Sequence, residues 1–145
     1  MTDAVKFGSL ITEFDGVPYK WGQSSLVSSD CSGTVCYVLN LIYDTCLRFC
    51  ADELYRKFFT INDEDKIKSD ECIKALFFID PATGRAVHVA GCIQGEFFLN
   101  MSSIEPCHDG HIRKRSELIA MYSSFRVEER ALDVYKWVSA TRKSA

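Results

Sequence analysis

The sequence predicts an α+β fold in which helices come first and an antiparallel sheet follows. Up to about residue 59, apolar residues recur at three- and four-residue steps, which is the period of a helix. After residue 75 they form short runs separated by turn residues, which is typical of strands. Elements segregated in this way favour helices packed against an antiparallel sheet. With 145 residues and 47% hydrophobic content, the chain is expected to form one domain over 1–145.

The first half predicts three helices separated by polar segments. Residues 3–14 have an amphipathic pattern, and the polar stretch 19–29 after them predicts a loop. The apolar stripe over 31–50 predicts a long helix, bent near its middle. Residues 51–59 predict another helix, and the acidic stretch 60–69 predicts a surface loop.

The second half predicts strands, each bounded by turn chemistry. The run 75–79 is short and wholly apolar, as in a buried strand, and a turn follows it. The further predicted strands are 87–93, 96–101, a weaker one near Ile112, and 121–127. Residues 131–140 would close the chain as a helix.

One of the seven cysteines stands in a context that favours reactivity. Asp30 can cap the helix that follows it, which leaves Cys31 at the first helical position. There the helix dipole would favour the thiolate and lower the pKa of the thiol. Ser32 and Gly33 are small enough to let a substrate approach the sulfur. The alternative is a structural cysteine at a helix end, because a free cysteine is usually a small buried hydrophobe.

The run PYKWG at 18–22, then Asp-Cys-Ser-Gly at 30–33, then a His-Val pair at 88–89, resembles the NlpC-type cell-wall cysteine peptidases of bacteria and phages. The resemblance covers roughly residues 7–103. It implies a papain-like fold, in which N-terminal helices carry the nucleophile and an antiparallel sheet carries the base. It also implies that Cys31 attacks a peptidoglycan stem peptide, at the γ-D-glutamyl linkage to the diamino acid. Gln23 stands where that family usually has a second glycine.

The candidates for the base are the three histidines of the chain. The resemblance selects His88, which lies inside a predicted strand and shares a face with the small Ala90. That small neighbour would leave room for the end of the helix that carries Cys31. His108 and His111 lie in a polar turn region and are expected to be exposed loop residues.

Asn100 is the predicted third member of the catalytic set, twelve residues after His88. A three-residue hairpin loop ending at Gly95 would place Asn100 directly opposite His88. A two-residue loop would place Met101 there and turn Asn100 away. The resemblance implies an interval of about twelve and so favours the first register. An asparagine carbonyl can hold the imidazole N–H and fix its tautomer.

The resemblance also implies three substrate-binding residues: Tyr19, Asp30 and Ser32. In related enzymes the corresponding groups can hold the free amine of a stem peptide. Each also has a structural interpretation, as a core aromatic residue for Tyr19 and as helix capping for the other two. Trp21 is expected to pack under the loop.

Composition limits the partners and the compartment. A net charge of −3 argues against nucleic acid, and no apolar run approaches the length of a membrane span. The first residues lack the pattern of a secretory signal, so the thiols are expected to be reduced and the protein to be made in the cytoplasm. A phage or dedicated export machinery would then deliver it to the wall. No cofactor is predicted, and the oligomeric state stays open.

Three alternatives remain open. An amidase or acyltransferase could use the same Cys-His site on another substrate. A zinc-binding interaction module could draw its four ligands from Cys46, Cys50, Cys107 and His111, although tight CxxC pairs are absent. A wall-binding domain without catalysis is the third.

Overall fold

The computed structural model describes residues 1–105 and 107–144. A five-stranded antiparallel sheet has the strand order β4-β3-β2-β1-β5, and helices pack against it, which confirms the predicted α+β fold. The helices are α1 Asp3–Ile11, α2 Cys31–Tyr43, α3 Ala51–Glu53, α4 Glu64–Lys68, α5 Arg115–Met121 and α6 Val134–Ser144. The strands are β1 Lys74–Ile79, β2 Ala86–Gln94, β3 Phe97–Met101, β4 Gly110–Lys114 and β5 Arg126–Ala131. A 3₁₀ turn, Thr12–Phe14, follows α1, and a π-helical turn, Leu54–Phe58, follows α3.

The two faces of the sheet support two cores of different size. The larger core joins α1 and α2 to the face that includes Phe77, Val89 and Leu99. The smaller core joins the opposite face to α5, through Leu118 and Tyr122. Each large apolar side chain buried in this way contributes about 1.5–3 kcal/mol to folding. The two cores therefore fix both the helices and the strands that carry the predicted site residues.

Helix α1 lies unusually close to strand β2. A Cβ built on Gly91 would lie 2.3 Å from the Cδ1 of Ile11, and one built on Gly8 would lie 2.1 Å from the carbonyl oxygen of Ile93. Neither distance leaves room for a side chain. Glycine at both positions thus allows the helix and the strand to touch.

Helix α2 is shorter than predicted. It ends at Tyr43 because Asp44 adopts the left-handed conformation, with a φ of 52°. The Asn40 side chain then fixes the turn. Its Nδ2 donates to the carbonyl of Leu47 at 2.8 Å, and its Oδ1 accepts from the backbone N–H of Leu47 at 3.0 Å. The apolar stripe as far as Cys50 therefore does not belong to one helix, and Cys46 and Cys50 are both exposed.

Two other predictions were wrong. The expected loop 60–69 contains α4, which Asp63 caps through its side chain. The expected strand 121–127 instead contains the last residue of α5, a turn over 122–125 and the start of β5. Helix α5 begins where the Glu117 carboxylate accepts a hydrogen bond from the backbone N–H of Lys114, at 2.9 Å. The apolar residues 118–121 thus follow a helical period in this segment and not the period of a strand.

Candidate active site

Cys31 is the first residue of helix α2, as predicted, with Asp30 as the N-cap. Its sulfur lies near the backbone N–H of Val89, the residue after His88. Burial raises the pKa of the Cys31 thiol to about 11, although the backbone amides of Val89 and Ser32 act to lower it. The expected lowering of this pKa is therefore wrong: desolvation of the thiolate outweighs the positive end of the helix.

The Asp30 carboxylate is a centre of hydrogen bonding and is only 4% exposed. It accepts from the backbone N–H of Gly33 at 2.6 Å and from that of Gly22 at 2.8 Å. Arg48 donates to both of its oxygens at 2.8 Å, and to the hydroxyl of Ser32 at 2.9 Å. These contacts tie the loop that precedes Cys31 to the start of α2. Arg48 was not identified from the sequence, because it reaches this place only through the turn after α2.

His88 lies in strand β2 and is 8% exposed. The ring of Tyr122 stacks on the imidazole, with centroids 4.8 Å apart and planes 19° apart. Burial lowers the pKa of His88 to about 4, although the hydrogen bond with Asn100 and the charge of Glu105 raise it. The imidazole is therefore neutral near pH 7, which is the form that can accept a proton.

Asn100 contacts His88, as expected from the sequence. The Asn100 Oδ1 lies 2.6 Å from the Nε2 of His88. The Asn100 Nδ2 donates to the carboxylate of Glu105 at 2.8 Å, which identifies the oxygen as the atom that faces the imidazole. His88 must then carry its proton on Nε2 and present Nδ1 as the acceptor.

The hairpin register that was expected to produce this contact is wrong. Gly91 pairs with Leu99, a bulge follows, and Gln94 pairs with Phe97 across a two-residue turn. Gly95 opens that turn with a φ of 55°, as in the type II′ turns that favour glycine there. The turn is one residue shorter than expected, which would by itself move the β3 side chains to the opposite faces of the sheet. The extra residue at the bulge shifts the pairing by one residue and restores the expected faces. Asn100 therefore stays on the His88 face and reaches the imidazole diagonally.

Helix α2 does not approach the face on which it was expected. It packs with Val89 on the larger core, whereas Ala90 lies in the smaller core with Tyr122. The small side chain beside His88 thus leaves room for the tyrosine ring and not for the helix that carries Cys31.

The loop before Cys31 has one aromatic residue turned inward and one turned outward. Tyr19 is partly buried, and its pKa is raised by burial and by the nearby Cys31 and Asp30. Trp21 was expected to pack under the loop but is 82% exposed. A turn closed from Gln23 to Lys20, with Gly22 at a φ of 80°, directs the Trp21 side chain to solvent.

The other two histidines differ in their exposure to solvent. His108 is exposed in a loop, as expected. His111 was expected there too, but it is partly buried in β4, where it pairs with Asn100 in the sheet. Its Nε2 lies 2.6 Å from a carboxylate oxygen of Asp109.

Four residues that contact the predicted site directly or through one another could not be identified from the sequence. They make a polar network behind Asn100 and His88. These residues are Ser102, Glu105, Arg113 and Tyr122. They come from a loop, a strand and a helix, so only the folded chain brings them together.

The described part of the chain has neither a metal site nor a helix that could span a membrane. Within residues 1–105 and 107–144, no three His, Cys, Asp or Glu residues lie together in a way that could hold a metal ion. The four residues considered as zinc ligands, Cys46, Cys50, Cys107 and His111, therefore do not lie together. In the same part of the chain, no helix has the length and apolar character needed to cross a membrane.

Comparison with solved structures identifies the fold as papain-like α+β, of the NlpC/P60 type. NlpC1 from Trichomonas vaginalis matches with a TM-score of 0.66 and 19% identity, over 89% of this chain and 43% of that one. A lipoprotein-like member of the NLP/P60 family from Staphylococcus aureus matches with a TM-score of 0.64 and 20% identity, over 88% of this chain and 40% of that one. The NlpC/p60 domain of the peptidoglycan hydrolase SagA matches with a TM-score of 0.58 and 16% identity, over 90% of this chain and 97% of the domain.

The chain thus has the NlpC/P60 fold, as its motifs suggested. It spans less than half the length of the Trichomonas vaginalis and Staphylococcus aureus structures, and nearly all of the SagA domain. Neither a family model nor a curated protein sequence matches the chain.

Proposed function

We propose that this chain is a cysteine peptidase that hydrolyses peptidoglycan stem peptides. Cys31 is the nucleophile, His88 the general base and Asn100 the residue that orients the base. The observation that carries the proposal is the 2.6 Å contact between Asn100 Oδ1 and His88 Nε2. Cys31, at the start of α2, has its sulfur near the backbone N–H of Val89, the residue after His88. An asparagine oxygen held against the histidine supports a Cys-His-Asn site.

The protonation states before reaction require that the thiol proton be transferred during the attack. The pKa of the Cys31 thiol is raised to about 11 and that of His88 is lowered to about 4, so both groups are neutral before reaction. As the sulfur bonds to the amide carbon, His88 takes the thiol proton on Nδ1. Backbone amides near Cys31 stabilise the oxyanion that forms.

The second half of the reaction uses the same groups in reverse. The C–N bond breaks, His88 returns the proton to the leaving amine, and an acyl-thioester remains on Cys31. Water then attacks the thioester while His88 takes one of its protons. The thiolate leaves and is protonated by His88, which restores the starting state.

The proposed substrate is a stem peptide, cut at the γ-D-glutamyl linkage to the diamino acid. The fold shared with SagA, which is named a peptidoglycan hydrolase, supports a wall substrate. Tyr19, Asp30 and Ser32 would form the substrate side of the site. The protein would be made in the cytoplasm and reach the wall through a phage or dedicated export machinery.

Digestion of purified muropeptides followed by mass spectrometry tests the proposal. The wild type should release a product that ends at D-glutamate, and Cys31→Ser should release none while keeping its melting temperature. His88→Gln should lose nearly as much activity as Cys31→Ser, since nucleophile and base act as one unit. Asn100→Ala should lose less, because proton transfer itself is retained.

The alternatives predict different results in the same assay. An amidase or acyltransferase would leave muropeptides intact while Cys31 forms an acyl-enzyme with a small activated ester. A wall-binding domain without catalysis would bind sacculi and form no acyl-enzyme. Either result would contradict the proposed peptidase.

A further inference from the structure

We infer that Glu105, paired with Arg113, is a positioning residue that sets the orientation of the Asn100 amide. Through that amide it determines which nitrogen of His88 accepts the proton from Cys31. The inference rests on the proposed function, since it assigns a role within the same site.

Glu105 is a buried carboxylate in direct contact with Asn100. It is 1% exposed, and its Oε1 accepts from the Asn100 Nδ2 at 2.8 Å. Arg113 donates to the other oxygen at 2.8 Å and to Oε1 at 3.3 Å. A buried anion requires such compensation, and here the compensation comes from one cation and the amide of the site.

The carboxylate remains charged in this environment. Burial acts to raise the pKa of Glu105, but hydrogen bonds from Arg113 and from Asn100 outweigh it, and the pKa is lowered. An ionised carboxylate has only acceptors. The atom of Asn100 that faces Glu105 must therefore be the nitrogen that donates.

The two ends of the Asn100 amide have nearly the same shape but opposite hydrogen-bonding roles. Turned by 180°, the amide would bring its oxygen against the Glu105 carboxylate, and two acceptors would face each other. Its nitrogen would then point at His88 Nε2 and require a lone pair there. The imidazole proton would have to move to Nδ1, and His88 could no longer accept a proton on that atom.

Glu105 also belongs to the turn after β3. Its backbone N–H contacts the carbonyl of Ser102 at 3.4 Å, and its carbonyl accepts from His108 N–H at 3.0 Å. A role limited to holding this turn would also make the residue important. The test must therefore separate an effect through Asn100 from an effect on the loop.

A double-mutant cycle separates the two roles. Glu105→Leu should lower kcat on muropeptides by roughly 10- to 100-fold with little change in KM, because the base is misoriented while the binding groups remain. Glu105→Gln, which keeps an acceptor oxygen, should recover part of this loss. In the Asn100→Ala background, the same substitutions should have almost no further effect on kcat. Glu129→Gln is the matched control, because Glu129 in β5 is a partly buried glutamate that pairs with Arg115 away from Asn100, and this variant should keep wild-type kcat.

NMR of the imidazole nitrogens in the purified chain gives a readout that does not need turnover. The wild type should have His88 as the Nε2–H tautomer, and Glu105→Leu should add the Nδ1–H tautomer. An unchanged tautomer, or an equal fall in kcat with and without Asn100, would overturn the inference. If Glu105→Leu does not fold, the Glu105→Gln cycle and spectrum decide in the same way. A wild type that leaves muropeptides intact would refute the proposed function, while the tautomer would still test the role of Glu105.

Discussion

Replacing His88 with glutamine should weaken the dependence of protein stability on pH. In the folded protein, burial lowers the pKa of His88 to about 4, compared with 6.5 for the ordinary residue. Between these values the unfolded chain binds a proton and the folded chain does not. Stability is therefore lost as the pH falls below about 6.5, and this loss levels off below about 4.

The size of the effect follows from the two pKa values. Between pH 7 and pH 5, the proton on the unfolded chain removes about 2 kcal/mol from the free energy of unfolding. The window ends at pH 5 because carboxylates begin to titrate below it. Glutamine at this position removes the titration but can still donate to the Asn100 oxygen.

Urea unfolding at pH 7 and pH 5 measures the difference. The wild type should lose about 2 kcal/mol more than His88→Gln over this interval, because every other titrating group cancels in the comparison. His108→Gln is the control for replacing a histidine at an exposed position. Equal losses in the wild type and in His88→Gln would refute a buried, neutral His88.

Three further predictions concern other parts of the site. At pH 7.5, iodoacetamide should modify the exposed Cys46 before Cys31, whose pKa is raised to about 11, and peptide mass spectrometry that finds Cys31 modified first would contradict this order. Arg48→Met should destabilise the fold by about 2 kcal/mol in urea, because it leaves the buried Asp30 carboxylate without its cation, and unchanged stability would show that the pair contributes nothing. Gly95→Val should lower both the melting temperature and the activity, because a β-branched residue resists a φ of 55°; a variant with wild-type values would exclude strain in this turn.

The local part of the site could be predicted from the sequence, because capping and strand patterns act over a few residues. Asp30 caps α2 and places Cys31 at its start, as expected. The contact between His88 and Asn100 was also expected and is present. The strand register from which it was predicted is different from the one observed. A bulge and a shorter turn compensate each other, and neither has a clear signal in the sequence.

The residues around the site could not be predicted, for a physical reason. Glu105 and Tyr122 reach Asn100 and His88 only through tertiary packing, and buried charges have no local pattern. The pKa of Cys31 likewise depends on desolvation, which the helix-dipole argument does not include. Burial by residues distant in the sequence therefore determines these contacts and this pKa, and local sequence patterns do not predict them.

The bulge in the β2–β3 hairpin constrains how this region can change length over evolution. Deleting one residue there would shift the pairing of β3 with β2 by one residue. Every β3 side chain, including that of Asn100, would then lie on the opposite face of the sheet. Deleting two residues would return the Asn100 side chain to the face that carries His88. Active relatives should therefore differ in hairpin length by even numbers, or carry a second bulge that absorbs the odd residue. Genes that break this rule without such compensation should encode proteins in which another side chain orients the histidine.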